Sequence, residues 1–141
     1  MNETKFSFDE WQKAAPQRLK SSPLWKSDYY QFSMYLYDLA WQDCAVLRKD
    51  FRGREIVSQL IRSIGSISAN IEEGYGRGIG TADYVRILRI ALGEAREAQG
   101  WYFRSRHVLP PELVEHRTNV LDQIIALLVN AISRHRKALG R

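Results

Sequence analysis

Cysteine is nearly absent: Cys44 is the single one in 141 residues, which excludes an intramolecular disulfide and a cysteine-based zinc site. Histidine is scarce too, and His107, His116 and His135 are too scattered to suggest a ligand set. A di-metal helical bundle needs Glu-x-x-His on two helices, and that tetrapeptide does not occur. No metal and no cofactor is expected. Long apolar runs are missing, the longest being Ile124 to Val129, far short of the ~20 residues a membrane span requires. The stretch from Met1 to Lys13 is polar and mixed in charge, unlike a signal peptide. A cytoplasmic protein without membrane contact is therefore expected. Proline is confined to positions 16, 23, 110 and 111, so nothing interrupts Leu24 to Leu109. Sustained alternation of period two and the Asn-Gly hairpin dipeptide are both absent, which argues against sheet.

What is present is helical periodicity in a chain of one domain's size. Hydrophobic residues make up 45%, enough for a core, and 26% are charged. The net charge of +5 leans the molecule toward anionic partners. Four long segments carry the three-and-four spacing of helix faces. The first runs from about Ser27 to Leu47, with one stripe of Tyr29, Phe32, Leu36, Leu39 and Val46 and a second of Tyr30, Met34, Tyr37 and Trp41. Two stripes exceed what one helix needs for its own core. Either the N-terminal segment folds over the excess, or the face is a subunit interface, where Tyr and Trp are favoured.

The second helix is predicted from Arg54 to about Tyr75, with Val57, Leu60, Ile64, Ile67 and Ile71 inward. Gly65 suggests close approach of another helix, and Gly74 is expected to take the left-handed position that ends this one. Thr81 caps the third helix, whose inner face is Tyr84, Leu88, Ala91, Ala95, Ala98 and Tyr102. The fourth extends from about Glu112 to Leu139 with two adjacent stripes, Leu113-Val120-Ile124-Leu127-Ala131 and Val114-Leu121-Ile125-Leu128-Ile132. Again one stripe would serve an intramolecular core. Tyr30, Tyr37, Trp41, Ile125, Leu128 and Ile132 are accordingly the predicted oligomer interface. Residues 1–24 read as a peripheral arm, with a short helix opened by the capping box Ser7-Phe8-Asp9-Glu10. Short connections between comparable helices predict an antiparallel up-down four-helix bundle over 25–141.

That topology gathers the first and third connections at one end, with Arg48, Lys49, Arg52, Arg54, Arg104, Arg106, His107, His116 and Arg117. Asp50, Glu55, Glu112 and Glu115 are the acids there. Such a rim suits phosphates by charge and counterion release. The alternative is a solvated helix end, since cations are favoured near helix C-termini. This accounts for Arg48, Lys49, Arg104 and Arg106 but not for Arg52, Arg54 or Arg117. The opposite end, with Arg77, Arg134, Arg136, Lys137 and Arg141, is a weaker candidate. Asn70, Glu73 and Arg77 around Gly74 and Gly76 invite a phosphate-cradling reading, but the lysine and threonine of a phosphate-binding loop are missing. A turn clamp, with Glu73 paired to Arg77 and Asn70 on a backbone carbonyl, is the simpler reading. No Ser-His-Asp grouping follows from spacing, and no enzymatic activity is expected.

The run Gln59-Leu-Ile-Arg62-Ser-Ile64-Gly-Ser66-Ile67-Ser-Ala-Asn70-Ile71-Glu-Glu73-Gly74-Tyr75-Gly76-Arg77 resembles the signature of the 23S rRNA intervening-sequence protein family, the S23-type four-helix bundle proteins. The resemblance continues in Tyr84-Val-Arg-Ile-Leu88-Arg-Ile90-Ala91-Leu92-Gly93-Glu94-Ala95-Arg-Glu97, and appears upstream in Asp38-Leu39-Ala-Trp41-Gln42. It covers about Tyr35 to the end of the chain. Ser63 and Glu72 stand where the family usually has alanine, and Glu94 where serine is common. The resemblance implies an antiparallel bundle that forms a ring-like homopentamer, without an established catalytic activity. A related bundle, the accessory variability determinant of diversity-generating retroelements, is a basic pentamer that works with a reverse transcriptase and binds nucleic acid. The expected function is therefore an oligomer that binds RNA or DNA through its basic rim. The other reading is a scaffold for a protein partner such as a reverse transcriptase.

Overall fold

Helix starts and stops follow from short-range chemistry. A computed structural model describes residues 6–140; residues 1–5 of the arm and Arg141 lie outside the described residues. The Ser7 side chain accepts the Glu10 N–H at 3.1 Å and opens α1 (Phe8–Ala14). Pro16 precedes α2 (Gln17–Lys20), and Pro23 starts a 3-10 turn to Lys26. The long helices are α3 (Asp28–Leu47), α4 (Arg54–Arg77), α5 (Ala82–Arg104) and α6 (Pro111–Ala138). Pro111 suits the first turn of α6, where its missing N–H is no loss. Among the described residues the chain is all-helical, and no helix is long and apolar enough to cross a membrane.

Each long helix packs on the next, and α6 returns to α3, closing the circuit around one core. Leu36, Leu39, Leu60, Ile64, Ile67, Ile71, Leu88, Leu121, Ile124 and Leu128 are fully buried there. Ala91, Ala95 and Ala98 are fully buried on α5, the small residues of a helix packed closely between α4 and α6. A Cβ added at Gly65 would lie 3.2 Å from the Tyr37 ring, so this glycine accommodates a tyrosine from α3.

Gly74 departs from the sequence expectation. It lies inside α4, buried under Tyr84 and Ile87 of α5, and does not end the helix. The helix runs on to Arg77, and Gly78 takes the left-handed conformation with φ of +102°. Thr81 then accepts the Tyr84 N–H at 3.1 Å to open α5.

The arm covers part of the wide apolar face of α3 and leaves its Trp41 end open. Trp11 is 5% exposed and donates its indole N–H to Asp38 at 2.7 Å. Phe8 stacks on Phe32 with centroids 4.2 Å apart, and the Tyr35 hydroxyl donates to the Phe6 carbonyl. Three of the residues expected at an oligomer interface belong instead to the protomer's own core. Tyr30 is buried with its hydroxyl on Glu72 at 2.7 Å, and Leu128 and Ile132 are buried on α6. The reason is geometric: α6 packs against both α5 and α3, so its buried arc spans both stripes. Tyr37 and Ile125 are half-buried, and Trp41 is 66% exposed.

Candidate functional site

The α3–α4 connection is a tight turn built by Asp50. Its carboxylate accepts the backbone N–H groups of Arg52 at 2.8 Å and Gly53 at 3.0 Å. These two bonds, Gly53 first, hold the carboxyl below the usual range. A Cβ at Gly53 would fall 2.4 Å from the Leu47 carbonyl oxygen, so only glycine fits this turn. With the backbone folded inward on itself, Arg48, Lys49, Phe51, Arg52 and Arg54 all project to solvent. Arg54 lays its Nε–H on the Arg48 carbonyl at 3.3 Å, satisfying the end of α3.

The α5–α6 connection is anchored by Ser105, which is fully buried and donates its hydroxyl to the Trp101 carbonyl at 2.8 Å. Its own carbonyl accepts the N–H groups of Val108 and Leu109, and Leu109 plugs the core. Arg104, Arg106 and His107 are thereby turned outward. Asp50, Arg52, Gly53 and Ile56 from the first connection and Arg104, His107 and Val108 from the second line one groove of about 200 Å³. The two basic connections therefore meet at one end. Among the described residues Asp50, 3.7 Å from Arg52, is the one acid ion-paired to this rim, while Arg48, Lys49, Arg54, Arg104 and Arg106 make no ion pair.

Aromatic rings accompany these cations, and the sequence reading missed them. Phe51 is 73% exposed with the Arg52 guanidinium 5.3 Å from its centroid. Phe103 is 59% exposed under Arg106 at 4.2 Å, and Arg104 lies 4.7 Å over Trp101. The signal available was a phenylalanine next to an arginine in sequence, Phe51 in the α3–α4 connection and Phe103 in the last turn of α5.

Arg117 does not belong to the rim. It is fully buried, with its Nε–H donating to Asp43 at 2.8 Å and an Nη2–H to the other carboxylate oxygen at 3.0 Å. Asp43 is equally buried and also accepts the Tyr102 hydroxyl at 2.7 Å. Burial pulls the Arg117 pKa down, but hydrogen bonding and charge from Asp43 outweigh it and leave the guanidinium charged. The cluster ties the last turn of α3 to the last turn of α5 and the second turn of α6, directly beneath the rim. Its third arginine nitrogen meets His116 Nδ1 at 2.9 Å.

At the α4–α5 turn Arg77 pairs with Glu73 at 2.9 Å and with Asp83 at 2.9 Å. Asn70 donates to the Ser66 carbonyl at 2.7 Å, one turn back within α4. Gly76 has open space around it. This end also carries an open cleft of about 770 Å³, lined among others by Lys26, Tyr29, Tyr84, Arg134, His135 and Lys137. Burial pushes the Cys44 thiol up to about 11, which leaves it protonated and unreactive. Among the described residues no three His, Cys, Asp or Glu side chains gather as a metal-ligand cluster.

A family model described as 23S rRNA-intervening sequence protein matches residues 26–130. The match starts upstream of the segment whose motifs carry the resemblance and leaves out the arm and the last turns of α6. In fold the chain is similar to the crystal structure of a protein of unknown function from the S23 ribosomal protein family of Bacteroides thetaiotaomicron, with a TM-score of 0.67 and 26% identity. That likeness covers 74% of this chain and 97% of the other. No curated protein matches the sequence.

Proposed function

We propose that this chain, which belongs to the 23S rRNA-intervening sequence protein family, is a non-enzymatic nucleic-acid-binding protein of the cytoplasm that works as a ring of antiparallel four-helix bundles. One observation carries the binding: six exposed cations, Arg48, Lys49, Arg52, Arg54, Arg104 and Arg106, border two connections that share a groove. The one acid ion-paired to them among the described residues, Asp50, is engaged by backbone N–H groups and Arg52. Polyanions gain here by releasing counterions, and sequence need not be read. The antiparallel arrangement is supported by the Asp43–Tyr102–Arg117 cluster, which joins two helix C-termini to a helix N-terminal region.

Assembly rests on apolar surface outside the core. Trp41 is 66% exposed beside Tyr37, and Ile90 and Val129 are each 43% exposed. A pentamer would present the rim five times, so weak single contacts add by effective concentration. The same exposed tryptophan favours the second reading, an adapter for a protein partner such as a reverse transcriptase, because Trp anchors interfaces.

Charge reversal separates the two. The double variant Arg52→Glu/Arg104→Glu should lose binding to mixed RNA and DNA at low salt in a mobility-shift assay, with an unchanged thermal melt. Undiminished binding by this variant would remove the rim from the account, and a Trp41→Ala defect in partner capture alone would favour the adapter.

A further inference from the structure

The rim carries two features that charge alone does not require: Phe51, 73% exposed in the α3–α4 connection, and Phe103, 59% exposed in the last turn of α5. Each ring has an arginine guanidinium beside it, Arg52 at 5.3 Å from the Phe51 centroid and Arg106 at 4.2 Å from that of Phe103. The connections meet at the groove lined by Arg52, Arg104 and His107; the two rings flank it as the sequence neighbours of Arg52 and Arg104 and do not line it themselves. An aromatic exposed to this degree gains little from the protomer's own core. Its remaining asset is a flat face, and a guanidinium offers a second flat, cationic one.

We propose that the rim takes single-stranded nucleic acid, with unpaired bases stacked on Phe51 and Phe103 and phosphates on Arg52, Arg104 and Arg106. The inference rests on the nucleic-acid reading and narrows it to unpaired strands. A duplex keeps its bases stacked on one another and gives such rings nothing to hold. Duplex readers also enter the major groove along a helix or a β-ribbon, whereas this rim combines helix ends with the two connections between them. Stacking on aromatic faces within a basic groove is the recognition mode of single strands, tolerant of sequence because every base has a π-face. Aromatic and arginine side chains together also suit protein partners. The surplus of cations around both rings fits a polyanion better.

The test compares fluorescence anisotropy of a short oligouridine with that of an RNA hairpin duplex of equal charge, on the full chain. The single strand should bind more tightly. Phe51→Ala and Phe103→Ala should each weaken it roughly tenfold, with the salt dependence and duplex binding unchanged, and Phe51→Trp should restore the loss. Both positions are exposed, so the thermal melt of each variant should match the parent. Salt-dependent binding of both forms that ignores the phenylalanines would overturn the stacking while leaving the nucleic-acid reading intact. No binding of either form would overturn both. A fall in oligomer mass in the alanine variants would assign the rings to a protein contact and overturn the inference.

Discussion

Asp43 and Arg117 sit where a leucine-like residue would ordinarily sit. On α3 the inward series is Leu36, Leu39, Asp43 and Leu47; on α6 it is Leu113, Arg117, Val120 and Ile124. Both ions are fully buried and joined by two hydrogen bonds. Such a pair adds little net stability, yet removing one partner strands the other charge. Arg117→Met should therefore cost about 3–5 kcal/mol in urea unfolding, while Asp43→Leu/Arg117→Met together should cost much less. Each charge in an apolar stripe was the legible signal; that they meet depends on how α3 and α6 dock. Read by chain position alone, Arg117 fell among the rim cations. His116, beside the pair, has its pKa lowered by burial and then by Arg117. The unfolded chain thus binds protons more readily, so stability is full above about pH 6.5 and falls as pH drops below it. His116→Gln should flatten part of that loss when unfolding midpoints are compared between about pH 7 and pH 5.5.

The α4–α5 turn shows what local sequence can and cannot decide. The Thr81 cap was legible because a hydroxyl before an acidic first turn has few other uses, and Thr81→Ala should cost about 1 kcal/mol by thermal melt. That Gly78 and Gly80 take positive φ while Gly74 and Gly76 stay helical was not legible from the sequence. That choice depends on Gly74 docking beneath Tyr84, a contact between helices. Gly78, with φ of +102°, should lose more than about 1 kcal/mol as alanine. Gly93 lies in the interior of α5 with nothing within 4 Å of an added Cβ, so Gly93→Ala should stabilise by roughly 0.5–1 kcal/mol. Opposite signs in the same denaturation assay would be the signature of conformation rather than packing.

For the molecule as a whole, all-helical character was readable from periodicity, since no proline interrupts the central stretch and no alternation competes. The destination of the extra apolar faces was not. On α3 the arm covers much of the face, with Trp11 and Phe8 against Tyr35 and Phe32, and on α6 the core takes both stripes. On α3 and α6 the large apolar side chains left exposed are Trp41 and Val129, with Tyr37 half-buried beside Trp41. Light scattering should give a mass well above the 16.4 kDa of the protomer, reduced by Trp41→Asp. Without Arg117, six exposed cations remain at this end, beside two exposed phenylalanines that composition did not single out. Its claim to nucleic acid is tested most directly by the slope of log binding constant against log salt for an unstructured RNA. The wild-type slope should be negative and steep, and Arg52→Ala/Arg54→Ala/Arg104→Ala should flatten it by about 0.7 per lost phosphate contact. A slope near zero, or one that the triple variant leaves unchanged, would contradict the account.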